Sequence, residues 1–444
     1  MRRILVLSLA VTLLSVAGFS QSIDKAKLDA YFDTLATYDK FMGSVAIAQG
    51  DRLIYSKSVG FTNVEQGLEA SENSKYRIGS ITKTFTAVLT LMAMEEGKLS
   101  LNQTLDTYFP AIGNARKITM EHLLYHRSGI HNHVDKLVMW NLHTQPITEE
   151  RMIEMIIAHG NDFEPDTQMA YSNPNYILLT YILERIYEKP FPELLEEKIT
   201  KPLGLKNTYL KGKINTSMGE SNSYHSIDDY WVLAPELDVS QGEGAGAMTS
   251  TPTDLVVFSH ALFTGKLLSE SSLAKMTTVK DRFGMGLFQL PFYDKTGFGH
   301  SGGIDGFHAI FGYFPTGDIS IAYTSNGLNF NGNDISIAML RAAYGMPFDI
   351  PEFTTFHITD EELDQYLGTY ASEQIPLQLT ITKSNGILYG QGIGQPAFPL
   401  EPTAEHIFEF QQAGILLEFN PTAKTMVLKQ SGGIFLFEKN SATH

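Results

Sequence analysis

The tetrapeptide Ser80-Ile81-Thr82-Lys83 stands at the predicted start of a long helix. Apolar residues follow it at helical spacing, and a glycine closes the segment where a C-cap glycine belongs; these residues are Ile81, Phe85, Val88, Leu89, Met92 and Gly97. Residues three apart on a helix share a face, so the hydroxyl of Ser80 and the amine of Lys83 should lie one turn apart. Because a serine attacks only after a neighbouring base takes its proton, the spacing predicts Ser80 as a nucleophile and Lys83 as its base.

The tetrapeptide pattern is weak evidence by itself, since two other segments of the chain match it. They begin at Ser22 and Ser272, with lysines at Lys25 and Lys275. A serine in this position can also be a simple N-cap followed by a solvated lysine. The choice among the three segments therefore depends on the other motifs of the chain.

The composition excludes several kinds of site. The 444 residues contain no cysteine, which rules out disulfides, cysteine nucleophiles and thiolate metal sites. The formal net charge is −16, and a protein of that sign repels phosphate backbones and acidic lipids. We therefore expect no nucleic-acid partner.

The first twenty residues are organised like a secretory signal peptide. Met1-Arg2-Arg3 precedes an apolar run from Ile4 to Phe19, and small residues stand near the end of that run. Polar residues interrupt the run and no basic stop follows it, so a stable membrane anchor is not expected. The sequence predicts a signal peptide at 1–20 and an exported mature chain, either periplasmic or secreted.

The order of the elements predicts an α+β fold for residues 21–346. Residues 44–57 alternate apolar and polar side chains around Gly50-Asp51, which is typical of an antiparallel hairpin. Strand patterns return at 307–314 and 319–324. Between them, apolar spacing favours helices at 119–125, 149–159, 176–187 and 253–263. Strands from both ends of the segment, flanking helices, imply an α+β sheet domain.

The remainder of the chain, residues 347–444, differs in composition and pattern from the preceding part. Prolines and acidic residues at 347–362 indicate a linker. Beyond it, residues 377–391 have the pattern of a hairpin around Asn385-Gly386, and short strand patterns follow at 407–410, 415–419, 425–430 and 435–438. This spacing predicts a small β domain at 363–444, either a barrel or a sandwich. It carries no cluster of catalytic residue types, so we expect a packing or lid role.

Two further motifs could complete a site for acyl transfer, which needs a proton donor for the leaving atom and donors for the oxyanion. Tyr171-Ser172-Asn173 follows a loop and precedes an apolar helix, so it can present a phenol and an amide. His300-Ser301-Gly302 can bind a substrate backbone on an edge strand, while the amide of Gly303 joins that of Ser80 as an oxyanion hole. Lys295-Thr296-Gly297 competes for this role, because Lys-Thr-Gly accompanies Ser-x-x-Lys in penicillin-recognising enzymes.

Five motifs in order resemble those of the serine hydrolases related to class C β-lactamases and D-Ala-D-Ala carboxypeptidases. The resemblance covers roughly residues 25–345 and rests on segments 80–83, 118–129, 171–173, 201–208 and 300–307. It implies a β-lactamase/transpeptidase-like antiparallel sheet flanked by helices, and a ping-pong mechanism on a small-molecule or peptide substrate. In that mechanism Ser80 would be acylated, Lys83 and Tyr171 would pass its proton to the leaving group, and water would release the acyl group.

The resemblance also decides which of the two triplets, at Lys295 or at His300, is the third motif. In the family, Gly-Phe follows the triplet by four residues and the next apolar strand ends in proline. Gly306-Phe307 and Pro315 satisfy this spacing for His300 and not for Lys295, which is therefore interpreted as a loop residue. The substrate-binding residues implied by the family are Asn173, His300, Ser301, Gly302 and the backbone of Gly303.

Histidine in the third triplet changes the expected substrate. A lysine carries a permanent charge for a substrate carboxylate, whereas a histidine is mostly neutral above about pH 6.5. The family resemblance therefore favours a D-Ala-D-Ala carboxypeptidase, a D-aminopeptidase or an esterase, with a β-lactamase as an alternative. A non-catalytic protein that binds peptidoglycan or peptides on the same scaffold is a second alternative. Asp166 also replaces the glycine that is usual in the loop before Tyr171.

Two other patterns suggest cofactors and are rejected. His122, His126, His131 and His133 lie close enough in sequence for a metal, but no carboxylate completes a convincing pattern. Gly242–Gly246 looks like a phosphate loop, but no Gly-Lys-Ser/Thr follows it. The family resemblance makes this glycine-rich stretch a close-packed connection that lines the site. We expect neither a metal nor a cofactor.

Overall fold

The computed structural model of the protein describes residues 23–132, 143–227, 230–353, 356, 358–430 and 432–440. The predicted signal peptide and His133 lie outside these residues. Among the residues described, no helix is both long and apolar enough to cross a membrane.

The helices are α1 (Lys25–Thr37), α2 (Thr82–Glu95), α3 (Met120–Leu124), α4 (Glu149–His159), α5 (Asn173–Tyr187), α6 (Phe191–Leu195), α7 (Lys201–Leu203), α8 (Pro252–Phe263), α9 (Glu270–Thr277), α10 (Gly332–Ala343) and α11 (Asp360–Leu363).

The larger domain is built on one antiparallel sheet of seven strands. The strands of this domain are β1 (Phe41–Gln49), β2 (Arg52–Val59), β3 (Phe61–Asn63), β4 (Leu68–Glu69), β5 (Tyr76–Arg77), β6 (Tyr224–Ile227), β7 (Tyr230–Leu233), β8 (Thr249–Ser250), β9 (Phe283–Gly284), β10 (Leu287–Phe292), β11 (Lys295–Ile304), β12 (Phe307–Phe314) and β13 (Ile319–Leu328). The order of strands in the large sheet is β2-β1-β13-β12-β11-β10-β9, so the first strands of the chain pair with the last strands of the domain, and most of the helices lie between them in sequence. This arrangement confirms the predicted α+β fold.

Helices cover both faces of this sheet and create two separate cores. On one face, α2, α5 and α8 bury Phe85, Ile182 and Phe258 together with Phe311 of the sheet. On the other face, α1 and α10 bury their apolar residues against the opposite side of β1 and β13. The helix that begins beside Ser80 is thus held in the larger core by the hydrophobic effect, which fixes its N-terminus against the sheet.

Strand β11 has a locally free edge that receives the start of α2. Its pairing with β10 ends at Gly299, opposite Phe288, while its pairing with β12 continues to Ile304. A Cβ built on Gly302 would lie 1.9 Å from the carbonyl oxygen of Ile78, so the turn before α2 packs directly on the strand backbone. The sequence predicted an edge strand here; the structure corrects this to an internal strand whose second half alone is unpaired on one side.

The C-terminal domain is a closed eight-stranded barrel, which decides between the predicted barrel and sandwich. The barrel strands are β14 (Gly368–Ala371), β15 (Gln378–Ser384), β16 (Ile387–Gly392), β17 (Phe398–Ala404), β18 (Ile407–Phe410), β19 (Ile415–Asn420), β20 (Thr425–Gln430) and β21 (Gly433–Lys439). The sequence did not predict β14 or the proline-containing β17, because apolar and polar residues do not clearly alternate in either strand.

Polar contacts join the barrel to the larger domain. The amine of Lys40, at the start of β1, lies 2.9 Å from a carboxylate oxygen of Glu401 on β17. The amide nitrogen of Gln412 donates to the side-chain oxygen of Asn329 over 3.1 Å. The second contact brings a barrel turn beside the loop that leads into α10.

The contact between β11 and the start of α2 should tolerate no side chain at Gly302. We expect Gly302→Ala to lower the free energy of unfolding by about 2–4 kcal/mol, because the methyl group must displace a backbone carbonyl. Gly303→Ala is the matched control, since its Cβ would meet nothing closer than 3.9 Å. Urea unfolding followed by circular dichroism measures both, and equal losses in the two variants would contradict this packing.

Candidate active site

A short 3₁₀ turn at Gly79–Ile81 presents Ser80, and α2 follows from Thr82. Gly79 adopts a φ of +52°, in the left-handed region where a side chain is strained. A Cβ there would also lie 2.6 Å from the amide nitrogen of Gly303. The predicted nucleophile is therefore half-buried at the junction of the helix and β11, beside the two amides that were predicted as an oxyanion hole.

Lys83 is completely buried, and its amine points at Ser80. The amine nitrogen lies 3.0 Å from the hydroxyl oxygen of Ser80, 2.7 Å from the side-chain oxygen of Asn173 and 2.6 Å from the carbonyl oxygen of Ala245. All three partners are uncharged. Burial lowers the pKa of Lys83 well below its usual value, because the ammonium form loses its hydration.

Tyr171 completes the surroundings of the amine. Its ring centroid lies 4.8 Å from the Lys83 nitrogen. Burial raises the pKa of Tyr171 well above 10, and a hydrogen bond with Ser80 acts in the opposite direction. The phenol is therefore neutral near pH 7, so the amine is the stronger base beside the Ser80 hydroxyl.

His126 supports Tyr171 from behind. The two rings contact each other at a tilt of 31° with their centroids 4.4 Å apart, and the Nδ1 atom of His126 accepts from the amide of Ser172 over 3.1 Å. Burial first, and then the nearby Lys83 and His300, lower the pKa of His126. Its position places the segment at 118–129 directly behind Tyr171.

Asn173 is the first residue of α5, and a second amide holds its orientation. The side-chain oxygen of Asn132 accepts from both the backbone and the side-chain nitrogen of Asn173, over 3.1 and 3.2 Å. The oxygen of Asn173 is thereby left facing Lys83. Sequence reasoning missed Asn132, because a single asparagine between two histidines has no signature of its own.

His300 lies on the face of β11 that is turned towards the helices. It is buried, its ring stacks on Phe288 with centroids 4.1 Å apart, and its Nδ1 atom lies 2.6 Å from the carbonyl oxygen of Ser301. Burial, followed by the influence of Lys83, lowers the pKa of His300 to about 3. Its imidazole is therefore uncharged at any ordinary pH. Ser301 and Gly303 alternate to the opposite, exposed face.

Lys295 is the first residue of β11 and not the predicted loop residue, and it lies far from this group of residues. Five residues of extended strand separate it from His300, or roughly 16 Å. Its amine lies 2.6 Å from a carboxylate oxygen of Asp294 and 5.1 Å from the ring centroid of Tyr344. The structure thus places His300, and not Lys295, beside the Ser80 turn.

The glycine-rich connection 242–246 supplies the carbonyl of Ala245. Gly244 has a φ of +67°, and a Cβ there would lie 1.6 Å from the hydroxyl oxygen of Thr180. The carbonyl of Gly244 accepts from Thr86 of α2 over 2.7 Å. This close packing agrees with the predicted connection that lines the site. A backbone carbonyl has no sequence signal, so Ala245 as a partner of the amine was not foreseen.

Two sequence features outside the site receive structural explanations. Asp166 adopts a φ of +66°, the conformation for which glycine is usual, and Arg127 binds its carboxylate over 2.6 Å and lowers its pKa. His122 caps α3 through Thr119. His131 pairs with Asp162 over 2.9 Å. His122, His126 and His131 thus each have a different protein partner.

Comparisons with known proteins identify relatives of this chain. A family model described as Beta-lactamase matches residues 28–346. Penicillin-binding protein 4* of Bacillus subtilis (strain 168) is 25% identical over 440 residues, which cover 91% of this chain and 96% of that protein. Teichoic acid D-alanine hydrolase of Staphylococcus aureus is 27% identical over 256 residues, 57% of this chain and 59% of that protein.

A solved structure extends the likeness of the fold to the barrel. The octameric penicillin-binding protein homologue from Pyrococcus abyssi matches with a TM-score of 0.66 and 22% identity, covering 94% of this chain and all of that one (100%). At that identity the match shows the fold alone. The family match, by contrast, extends over most of the sequence, from before β1 to the end of α10. The chain therefore belongs to the beta-lactamase family, a family of serine hydrolases.

Proposed function

We propose that this protein is a serine hydrolase that cleaves ester or amide bonds of D-amino acids through an acyl-enzyme at Ser80. One observation carries the proposal: the completely buried amine of Lys83 lies 3.0 Å from the Ser80 hydroxyl and has only uncharged partners. An amine in this position is neutral at a pH where a lysine in water is charged, so it can take the serine proton.

Acylation would proceed as follows. The Ser80 oxygen attacks the substrate carbonyl carbon while its proton passes to Lys83, and a new oxygen–carbon bond forms. The amides of Ser80 and Gly303 stabilise the resulting oxyanion. Collapse of this intermediate breaks the bond to the leaving group, which receives the proton through Lys83 and Tyr171.

Deacylation would use the same groups in reverse. Water attacks the acyl carbon and gives a proton to the Lys83–Tyr171 pair, the bond to the Ser80 oxygen breaks, and Ser80 regains its proton. The free acid leaves and the site returns to its starting state. No resident metal or cofactor takes part in this scheme.

The choice of substrate class rests on His300 and on the relatives. A neutral imidazole offers no fixed charge to a substrate carboxylate, which disfavours β-lactams and peptides that end at the leaving residue. A relative named teichoic acid D-alanine hydrolase supports a D-amino acid as the acyl group. The signal-peptide pattern at 1–20 supports action outside the cytoplasm.

Ser80→Ala tests the nucleophile. We expect it to abolish labelling by a fluorophosphonate probe and to reduce turnover of a D-alanyl ester by about a thousandfold or more. Ser272→Ala, which removes the serine of a second Ser-x-x-Lys segment, is the matched control. Peptide mapping of the labelled protein locates the adduct. Labelling that persists in Ser80→Ala would exclude the mechanism, and ligand binding without turnover would favour a non-catalytic binding protein.

The pH dependence tests Lys83 as the base. Because the pKa of Lys83 is lowered, kcat/KM for a neutral ester should fall as the pH drops and Lys83 becomes protonated. The midpoint of this acid limb should lie well below the usual lysine pKa of about 10.5. His300 should add no inflection, because its pKa is about 3. Profiles of the unmodified protein and His300→Gln between about pH 5 and about pH 9 should therefore share one limb. A limb near pH 6.5 that His300→Gln removes would contradict this assignment.

His300→Lys tests the cause of substrate choice. An ammonium group at this position would pair with a substrate carboxylate, so turnover of nitrocefin relative to a neutral D-alanyl ester should increase about tenfold. The added charge should also lower the pKa of Lys83 further and move the acid limb to lower pH. His300→Gln, which stays neutral, is the control. The same relative change in both variants would show that charge is not the cause.

A further inference from the structure

One residue bridges the two segments of chain that supply the oxyanion amides. Leu237 lies between β7 and β8. Its backbone nitrogen donates to the carboxylate of Asp305 over 3.1 Å, and its carbonyl oxygen accepts from the guanidinium of Arg77 over 3.0 Å. Asp305 stands two residues after Gly303, and Arg77 stands three residues before Ser80. A single residue is therefore held from both halves of the proposed oxyanion hole.

The bridge encloses a tight contact between two backbones. A Cβ on Gly302 would lie 3.0 Å from the amide nitrogen of Ser80, and a Cβ on Gly79 would lie 2.6 Å from the amide nitrogen of Gly303. There is no room for a side chain inside this contact. The alignment of the two amides therefore depends on groups that hold the two segments from outside.

Several bonds anchor the bridge at its Arg77 end. Arg77 is buried, and besides Leu237 its guanidinium donates to the carbonyl oxygen of Gly212 over 3.1 Å and to the carboxylate of Glu236 over 2.6 Å. The same carboxylate accepts from the amide of Ile214 over 2.7 Å. The segment that contains Leu237 is thus fixed to the chain just before Ser80.

The other end of the bridge is the carboxylate of Asp305, in the turn between β11 and β12. Asp305 has a φ of +52°, a conformation that glycine, asparagine and aspartate adopt most readily. Burial raises the pKa of Asp305 to about 6, with a further contribution from Glu236, against the hydrogen bond from Leu237 and the charges of Arg77 and His143. The carboxylate is therefore mostly ionised at pH 7, and its hydrogen bond with the Leu237 amide is charge-assisted.

We propose that Asp305 is a positioning residue of the oxyanion hole. Its carboxylate holds the end of β11 to Leu237, which Arg77 ties to the chain before α2. The amides of Gly303 and Ser80 thereby converge on one oxygen. The inference rests on the proposed function, because it concerns the oxyanion of that reaction. Since negative charge forms on this oxygen only in the transition state, loss of the carboxylate should lower kcat and leave KM nearly unchanged.

Asp305→Gly and Asp305→Asn test this role. Glycine removes the acceptor and suits the left-handed conformation, whereas asparagine keeps an acceptor oxygen in the same conformation. For a D-alanyl ester, Asp305→Gly should lower kcat about tenfold with less than about a twofold change in KM, and Asp305→Asn should keep kcat within about twofold. Asp318→Gly is the matched control and should keep kcat, because Asp318 has a φ of +54° in the turn at the other end of β12.

A boronic acid with the side chain of D-alanine measures the hole directly. Its boron bonds to the Ser80 oxygen and becomes tetrahedral, so that one of its hydroxyl oxygens takes the position of the oxyanion. Asp305→Gly should weaken inhibition by this compound about tenfold, in step with kcat. Values of kcat are expressed per Ser80 titrated to completion with a fluorophosphonate, so that unfolded protein does not contribute.

The outcomes separate this inference from the function beneath it. Ser80-dependent turnover with the same kcat in Asp305→Gly and in the unmodified protein would overturn the inference and keep the proposed function. A loss in Asp305→Asn as large as that in Asp305→Gly, or a loss of kcat without weaker inhibition by the boronic acid, would also overturn the inference. An absence of Ser80-dependent turnover in the unmodified protein would overturn the proposed function, and the inference with it.

Discussion

The buried amine of Lys83 ties together three parts of the chain that are distant in sequence. Its partners are Ser80 in the 3₁₀ turn before its own helix, Asn173 at the start of α5, and the carbonyl of Ala245 in a glycine-rich connection. Each buried acceptor that lost this partner would cost about 1–3 kcal/mol. The amine therefore specifies how α2, α5 and the connection meet, and its uncharged surroundings make it basic at the same time.

A second constraint is the bare backbone of β11. Strand β10 leaves half of β11 unpaired, and the turn before α2 fills the space because Gly302 has no side chain. Gly79, in that turn, adopts a left-handed conformation and lies close against the backbone of Gly303 on the strand. Close contact between two backbones is what brings the amides of Ser80 and Gly303 to one place. The catalytic proposal depends on this contact as much as on the side chains.

The proposed substrate choice rests on charges that the candidate site does not carry. His300 is buried and neutral, so the position that could hold a permanent cation offers only stacking and hydrogen bonds. An uncharged site prefers uncharged substrates, since a desolvated carboxylate without a cation is costly.

Local patterns in the sequence determined the helix that begins at Ser80, the α+β order of elements and the separate C-terminal β domain, because apolar spacing and turn residues act over a few positions. The same patterns, with the family motifs, singled out Ser80, Lys83, Tyr171, Asn173 and His300. Only the tertiary structure decided that β11 is internal with one free half, that the β domain closes into a barrel, and that Asn132 and Ala245 face the predicted residues. Those features arise from backbone contacts and from pairs of residues far apart in the chain, and neither leaves a periodic trace in the sequence.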